Sequence, residues 1–122
     1  MLVTAYVLAG LVGLGIIYVG LSYLFAPEKT ATGFGLATIP TGTPAFFQIK
    51  GVRDIGTGLV VGAAMLAGGP HVVGWVLLAE VFIPVGDMLI ILRHKGKRAV
   101  AFGVHGLTAA VMVVTTLLLV LG

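Results

Sequence analysis

The residues able to do chemistry are few, and they fall inside apolar stretches. Lys50, Arg53 and Asp54 stand in one stretch, Glu80 and Asp87 in a second, and His105 in a third. Carboxyl groups and an imidazole are the usual carriers of protons in catalysis, so Asp54, Glu80, Asp87 and His105 are the candidate catalytic groups. Lys50 and Arg53, with Tyr18 and Gln48, are the candidate substrate-binding groups, able to position the carboxylates or hold an anionic substrate group. If these stretches cross a bilayer, each charge near its centre costs roughly 2.5 to 3.5 kcal/mol, which demands mutual pairing or a wet cavity. Lys50 and Arg53 set two positive charges against three carboxylates. The surplus is relieved by a protonated His105 or by one carboxyl group that stays neutral, and Glu80 is the expected neutral acid. A structural reading competes: Lys50 and Asp54, four residues apart, can simply neutralise each other, and His105 can be a packing residue.

Other chemistries find no support. There is no His-Glu-x-x-His, no phosphate-binding loop, no Gly-x-Ser-x-Gly turn and no cysteine at all, so zinc hydrolysis, nucleotide hydrolysis, serine nucleophiles and thiol redox work lack their residues. The carboxylates and His105 lack the paired spacing of metal ligands, and neither a metal nor a cofactor is expected. Gly33-Phe34-Gly35 is too short for a phosphate loop. Tyr6, Tyr23, Phe25 and Trp75 read as interfacial or packing aromatics.

The elements that must position these residues follow from composition. Of 122 residues, 59% are hydrophobic and 9% charged, against about a quarter charged in a typical soluble domain. This excludes disorder, a disulfide-stapled secreted domain and a nucleic-acid binder with a broad basic face. Apolar runs of membrane-crossing length cover residues 2–25, 45–67, 72–92 and 99–121. The expected fold is all-α, an integral membrane four-helix bundle forming one domain over residues 1–122. The first run lacks a positive leader and is too long for a signal peptide, so it reads as the first helix. Four of the seven basic residues crowd into residues 93–98. That run resembles a patch for nucleic acid or anionic lipid, but as a topology determinant it places this loop in the cytoplasm and both termini outside, in a multi-pass cell-membrane protein. The segment 26–44 shares the cytoplasmic side, reads as irregular structure, and is either a plain connector or a lid.

Helical spacing then sorts residues onto faces. Lys50, Asp54, Gly58 and Gly62 share a stripe, and the Gly-x-x-x-Gly pair at its end predicts close approach by another helix. Glu80, Pro84 and Asp87 share a second face; His105, Thr108, Ala109, Met112 and Thr116 a third; Gly15, Tyr18 and Ser22 a fourth. At a rise of about 1.5 Å per residue, Lys50, Asp87, His105 and Tyr18 lie roughly 8 to 10 Å from the cytoplasmic ends, Arg53 and Asp54 about 12 to 14 Å, and Glu80 about 18 Å. The expectation is a polar pocket, open toward the cytoplasm and sealed at its outer end, lined by Tyr18, Gln48, Lys50, Arg53, Asp54, Glu80, Asp87 and His105.

With the segment Gln48 to Leu59 and the Pro27 to Gly35 stretch, the chain resembles a family of short four-helix membrane proteins of unknown function, loosely similar to DoxX-like membrane proteins. The Gly-x-Arg-Asp motif at Gly51, Arg53 and Asp54 carries that resemblance. It implies the bundle and no established activity. Sterol-isomerase-like membrane proteins, a class of similar compact bundles, move protons on lipophilic substrates with buried acids, which is an analogy of fold. The expected function is a cofactor-independent acid/base enzyme, an isomerase or cyclase, acting on a lipophilic small molecule that arrives from the bilayer or the cytoplasm. The alternatives are a proton-coupled transporter working as a homodimer and a non-catalytic accessory subunit. Expected partners are the substrate and membrane lipids, with no nucleic acid.

Overall fold

The computed structural model describes residues 1–122 and contains helices and connections without strands. Helix α1 covers Leu2–Phe25, α2 Pro27–Thr32, α3 Pro44–Ala67, α4 Gly69–Glu80, α5 Phe82–Arg93, α6 Arg98–Val100 and α7 Leu107–Leu121, with a π-helical segment Ala101–Gly106 between the last two. Three stretches, Leu2–Phe25, Gly69–Arg93 and Arg98–Leu121, are long and apolar enough to cross a membrane, as in an integral membrane protein. Helix α3 is as long as α1, but its first half carries Lys50, Arg53 and Asp54.

Several boundaries differ from those read off the sequence. The turn expected over Gly68 to His71 shrinks, because Gly69 at φ +74 turns the chain and Pro70 sits in the first turn of α4. Proline is favoured there, since its missing N–H would have had no partner anyway. The segment 26–44 is not wholly irregular: Pro27 starts the short α2 in the same way. Two of the expected spans are interrupted. The stretch 69–93 breaks at Val81, three residues before Pro84. Proline lacks the N–H that would bond the carbonyl four residues back, so the Glu80 carbonyl loses its helical partner and the axis can bend. The stretch 98–121 opens into the π segment, an extra residue per turn that shifts the phase of the side chains around His105.

Packing depends on small residues, because lipid tails are as apolar as leucine and give helices little hydrophobic reason to associate. Helix α1 buries Ala5, Ala9, Gly13, Gly20 and Tyr23 along one stripe. Helices α1 and α3 run antiparallel through two glycine pairs: a Cβ on Gly20 would lie 2.6 Å from the Gly51 carbonyl oxygen, and one on Gly58 would lie 2.5 Å from that of Gly13. The seven-residue spacing of Gly13/Gly20 thus meets the same spacing in Gly51/Gly58. The expected Gly58/Gly62 motif is corrected on this point, since a Cβ on Gly62 would meet nothing within 4 Å. At the end of the molecule that holds both termini, Ala5, Ala9, Val61, Val73, Leu77, Met112 and Leu119 form one apolar cluster. Thr116 adds a bond from its hydroxyl to the Gly74 carbonyl at 3.3 Å. Toward the other end, α5 packs on α4, α7 and the π segment and stands off from α1 and α3. A cavity occupies that separation.

Candidate functional site

The cavity has a volume of about 660 Å³ and draws its wall from α1, α3, α4, α5, the π segment, α7 and the segment after α1. That size falls within the usual range of small-molecule sites. Most of the wall is apolar, with Leu8, Val12 and Ile16 of α1 facing Val111 and Met112 of α7. Lys50 and Asp54 enter from α3, Glu80 from the end of α4, Asp87 from α5 and His105 from the π segment. Of the candidates named from the sequence, these five meet in one place.

The other three do not line it. Tyr18 is 71% exposed and does not line the cavity. Gln48 is exposed and donates from Nε2 to the Leu24 carbonyl at 3.3 Å, tying α3 to the end of α1. Arg53 is exposed on α3 and does not line the cavity. The displacement of Tyr18 has a clear cause: the glycine pairs turn Gly20 and Tyr23 of α1 inward, and Tyr18 lies on the opposite face.

Tyr23 takes the place expected for Tyr18. It is 2% exposed and borders the cavity. The matched glycine spacings were the signal that could have found it, because they set the buried face of α1. Phe34 was missed as well. Lys50 Nζ bonds Asp54 Oδ2 at 2.8 Å and sits 4.4 Å from the Tyr23 ring centre and 5.1 Å from that of Phe34. The ammonium is therefore held by a carboxylate and two aromatic faces, which compensate part of its lost hydration. Asp54 itself is buried, at 8% exposure.

The second polar cluster joins Asp87, His105 and the Phe34 backbone. His105 Nε2 lies 3.0 Å from the Phe34 carbonyl oxygen. A carbonyl only accepts, so Nε2 carries a hydrogen and donates it. The opposite ring nitrogen, Nδ1, faces Asp87 Oδ2 at 3.9 Å. With Nε2 protonated, this edge of a neutral ring presents a lone pair to the carboxyl group. The contact is favourable only when a second proton resides on the ring or on Asp87. The Phe34 and His105 rings also pack, with centroids 4.6 Å apart. Glu80 has no ion-pair partner within 4.0 Å. No group of three or more His, Cys, Asp or Glu side chains is arranged to hold a metal ion.

The segment following α1 covers the end of the cavity that the sequence suggested would be open. Thr30, Gly33 and Phe34 line it. The Thr30 hydroxyl donates to the Ser22 carbonyl at 2.9 Å, and the Lys97 amide donates to the Gly35 carbonyl at 2.7 Å. Gly35 is at φ +110, and a Cβ there would lie 2.8 Å from Val100. A backbone conformation and a close fit that both require glycine thus dock this segment against the start of the last helix. Farther along, the Gly42 amide donates to Glu28 at 2.9 Å and closes the segment on itself.

Comparison with curated proteins and with solved structures finds no match. The model of a family described as a domain of unknown function, DUF4267, matches residues 13–119, which include both glycine pairs, the docked segment and all five ionisable residues of the cavity; the chain belongs to that family.

Proposed function

We propose that this chain is a membrane-embedded, cofactor-independent acid/base enzyme that isomerises or cyclises a lipophilic small molecule in the cavity. In this reading α3 also spans the membrane, giving a four-helix bundle with the basic loop 93–98 in the cytoplasm and both termini outside. A loose kinship with DoxX-like proteins belongs to the same proposal. Its Gly-x-Arg-Asp motif serves three ends: Gly51 for helix contact, Arg53 at the surface and Asp54 in the cavity.

The observation that supports the reading is the convergence of Asp54, Glu80, Asp87 and His105, from separate elements, on one apolar-walled cavity. Glu80 or Asp87 would protonate an alkene, epoxide or enol ether, and a carboxylate or His105 would remove a proton from a neighbouring carbon. One proton is gained and one lost, so no oxidant or reductant is consumed. Apolar walls favour such chemistry by excluding water from the cationic intermediate. The Lys50–Asp54 pair would orient the carboxylates or hold a polar substrate group.

The test starts with purification from native membranes and identification of a co-purifying lipid-soluble compound by mass spectrometry. Incubation of that compound with wild-type protein is expected to give an isomer of unchanged mass. Glu80→Gln and Asp87→Asn should each abolish turnover with helix content intact. Unchanged turnover in both variants overturns the assignment. Gradient-driven flux of the compound into vesicles, without conversion, supports a transporter instead.

A further inference from the structure

We propose that the cavity is loaded sideways from the lipid phase, through the gap between α1 and the last helix, and that its ligand is an amphiphile with an apolar body and a hydrogen-bonding polar end. This rests on the cavity being a ligand site, and it adds the route and the substrate class.

The exposed part of the cavity wall defines the route. From α1 come Leu11, Gly15 and Val19, one residue per turn; from the π segment comes Val104, and from α7 come Leu107 and Thr108. Leu11 is 60% exposed, Val104 53% and Leu107 59%, so these side chains border both the cavity and the outside. Elsewhere in the wall, only Gly33 and Ile83 are comparably open. The single hydroxyl on the rim, that of Thr108, already donates to the Val104 carbonyl at 2.7 Å. A Cβ on Gly15 would meet nothing within 4 Å, so α1 stands clear of its neighbours at the middle of the gap. Toward the chain termini, the gap closes where Ala5 and Ala9 join Met112 and Leu119 in the apolar cluster. At the other end the docked segment closes it, through the bonds at Phe34 and Gly35.

The wall becomes polar with depth. Apolar side chains form most of the rim, and the polar side chains of Asp54 and His105, 11% and 13% exposed, lie deeper. A hydrated ion would have to shed its water at an apolar rim with nothing to replace it, which is costly. A molecule already dissolved in lipid keeps its apolar body in apolar surroundings and exchanges only the contacts of its polar end. The occupant is therefore a lipid-phase amphiphile, and an aqueous solute is excluded.

The absence of cysteine makes a direct test simple. Val19→Cys with Val104→Cys, and separately Gly15→Cys with Leu107→Cys, allow the gap to be bridged by a reversible bis-methanethiosulfonate linker in phosphatidylcholine nanodiscs. The probe is a long-chain alcohol bearing a photoactivatable diazirine, added to the bilayer, with labelled residues located by mass spectrometry. Unbridged protein is expected to be labelled at cavity residues such as Phe34 and Met112. Bridging before the probe should abolish this labelling, reduction should restore it, and bridging after loading should trap the probe against washout. The single-cysteine variants, treated identically, should label as wild type, which separates the bridge from damage to the fold. Cavity labelling that persists in both pre-bridged pairs overturns the sideways route and leaves the ligand cavity standing. Labelling confined to lipid-facing residues in the unbridged protein overturns both.

Discussion

Lys50 and Asp54 illustrate what a buried charge requires. Their i, i+4 spacing brings them together on any helix, but Asp54 is nearly buried while the Lys50 side chain keeps about a third of its surface. Removing one partner should therefore harm more than removing both. Lys50→Met alone leaves an unpaired carboxylate beside the cavity and is expected to destabilise by roughly 3 kcal/mol, whereas Lys50→Met with Asp54→Leu should lose much less. Denaturant unfolding in a mild detergent measures the difference; equal losses would mean that the pair contributes nothing specific. The pairing was legible in the sequence because it is local. The aromatic cage around Lys50 was not, since Tyr23 and Phe34 arrive from α1 and from a connecting segment, at sequence distances that carry no periodic signal. His105 is similar: its position on the last helix was evident, but its bond to Phe34 spans 71 residues.

At the scale of elements, two irregularities open the cavity. Pro84 interrupts the stretch 69–93 above Asp87, and the π segment does the same for the helix carrying His105. Pro84→Ala returns an N–H to the Glu80 carbonyl and is expected to raise the melting temperature while weakening binding of the diazirine alcohol, as the two halves straighten and the cavity narrows. A fall in melting temperature would contradict this account. The glycine pairs act in the opposite sense, holding α1 and α3 together. Gly20→Ala and Gly58→Ala force these helices apart and should each cost about 1 to 3 kcal/mol, despite alanine's better helix propensity of about 1 kcal/mol. Gly62→Ala should be neutral or stabilising, because nothing approaches that position. Thermal unfolding of the three variants distinguishes the seven-residue glycine pattern from the four-residue one suggested by sequence.

On the scale of the whole molecule, the two ends differ in construction. One is an apolar cluster from α1, α3, α4 and α7; the other is a largely apolar cavity that gathers five ionisable side chains under a docked segment. The charge distribution follows the same division, with the basic residues of 93–98 beyond the docked end. In the proposed orientation that loop faces the cytoplasm. A single cysteine replacing Lys95 is expected to react with a membrane-impermeant maleimide only after cells are opened, and one replacing Gly122 in intact cells. The reverse pattern would invert the orientation.

Sequence alone determined that this chain is helical and apolar enough to lie in a membrane, and it picked out Tyr18, Gln48, Lys50, Arg53, Asp54, Glu80, Asp87 and His105 as the residues to watch. Composition and run length decide the first point, because unpaired backbone groups are not tolerated in lipid. The cost of isolated charge in an apolar stretch decides the second. Tertiary structure alone excluded Tyr18, Gln48 and Arg53 from the cavity, brought in Tyr23 and Phe34, and placed the segment after α1, legible only as a connector or a lid, against the end of the cavity. These outcomes depend on how far each helix rotates about its own axis. That rotation is set by the close approach of Gly13 and Gly20 to Gly58 and Gly51, by a missing amide at Pro84 and by one wide turn before α7, which are contacts and distortions that a hydropathy pattern does not encode.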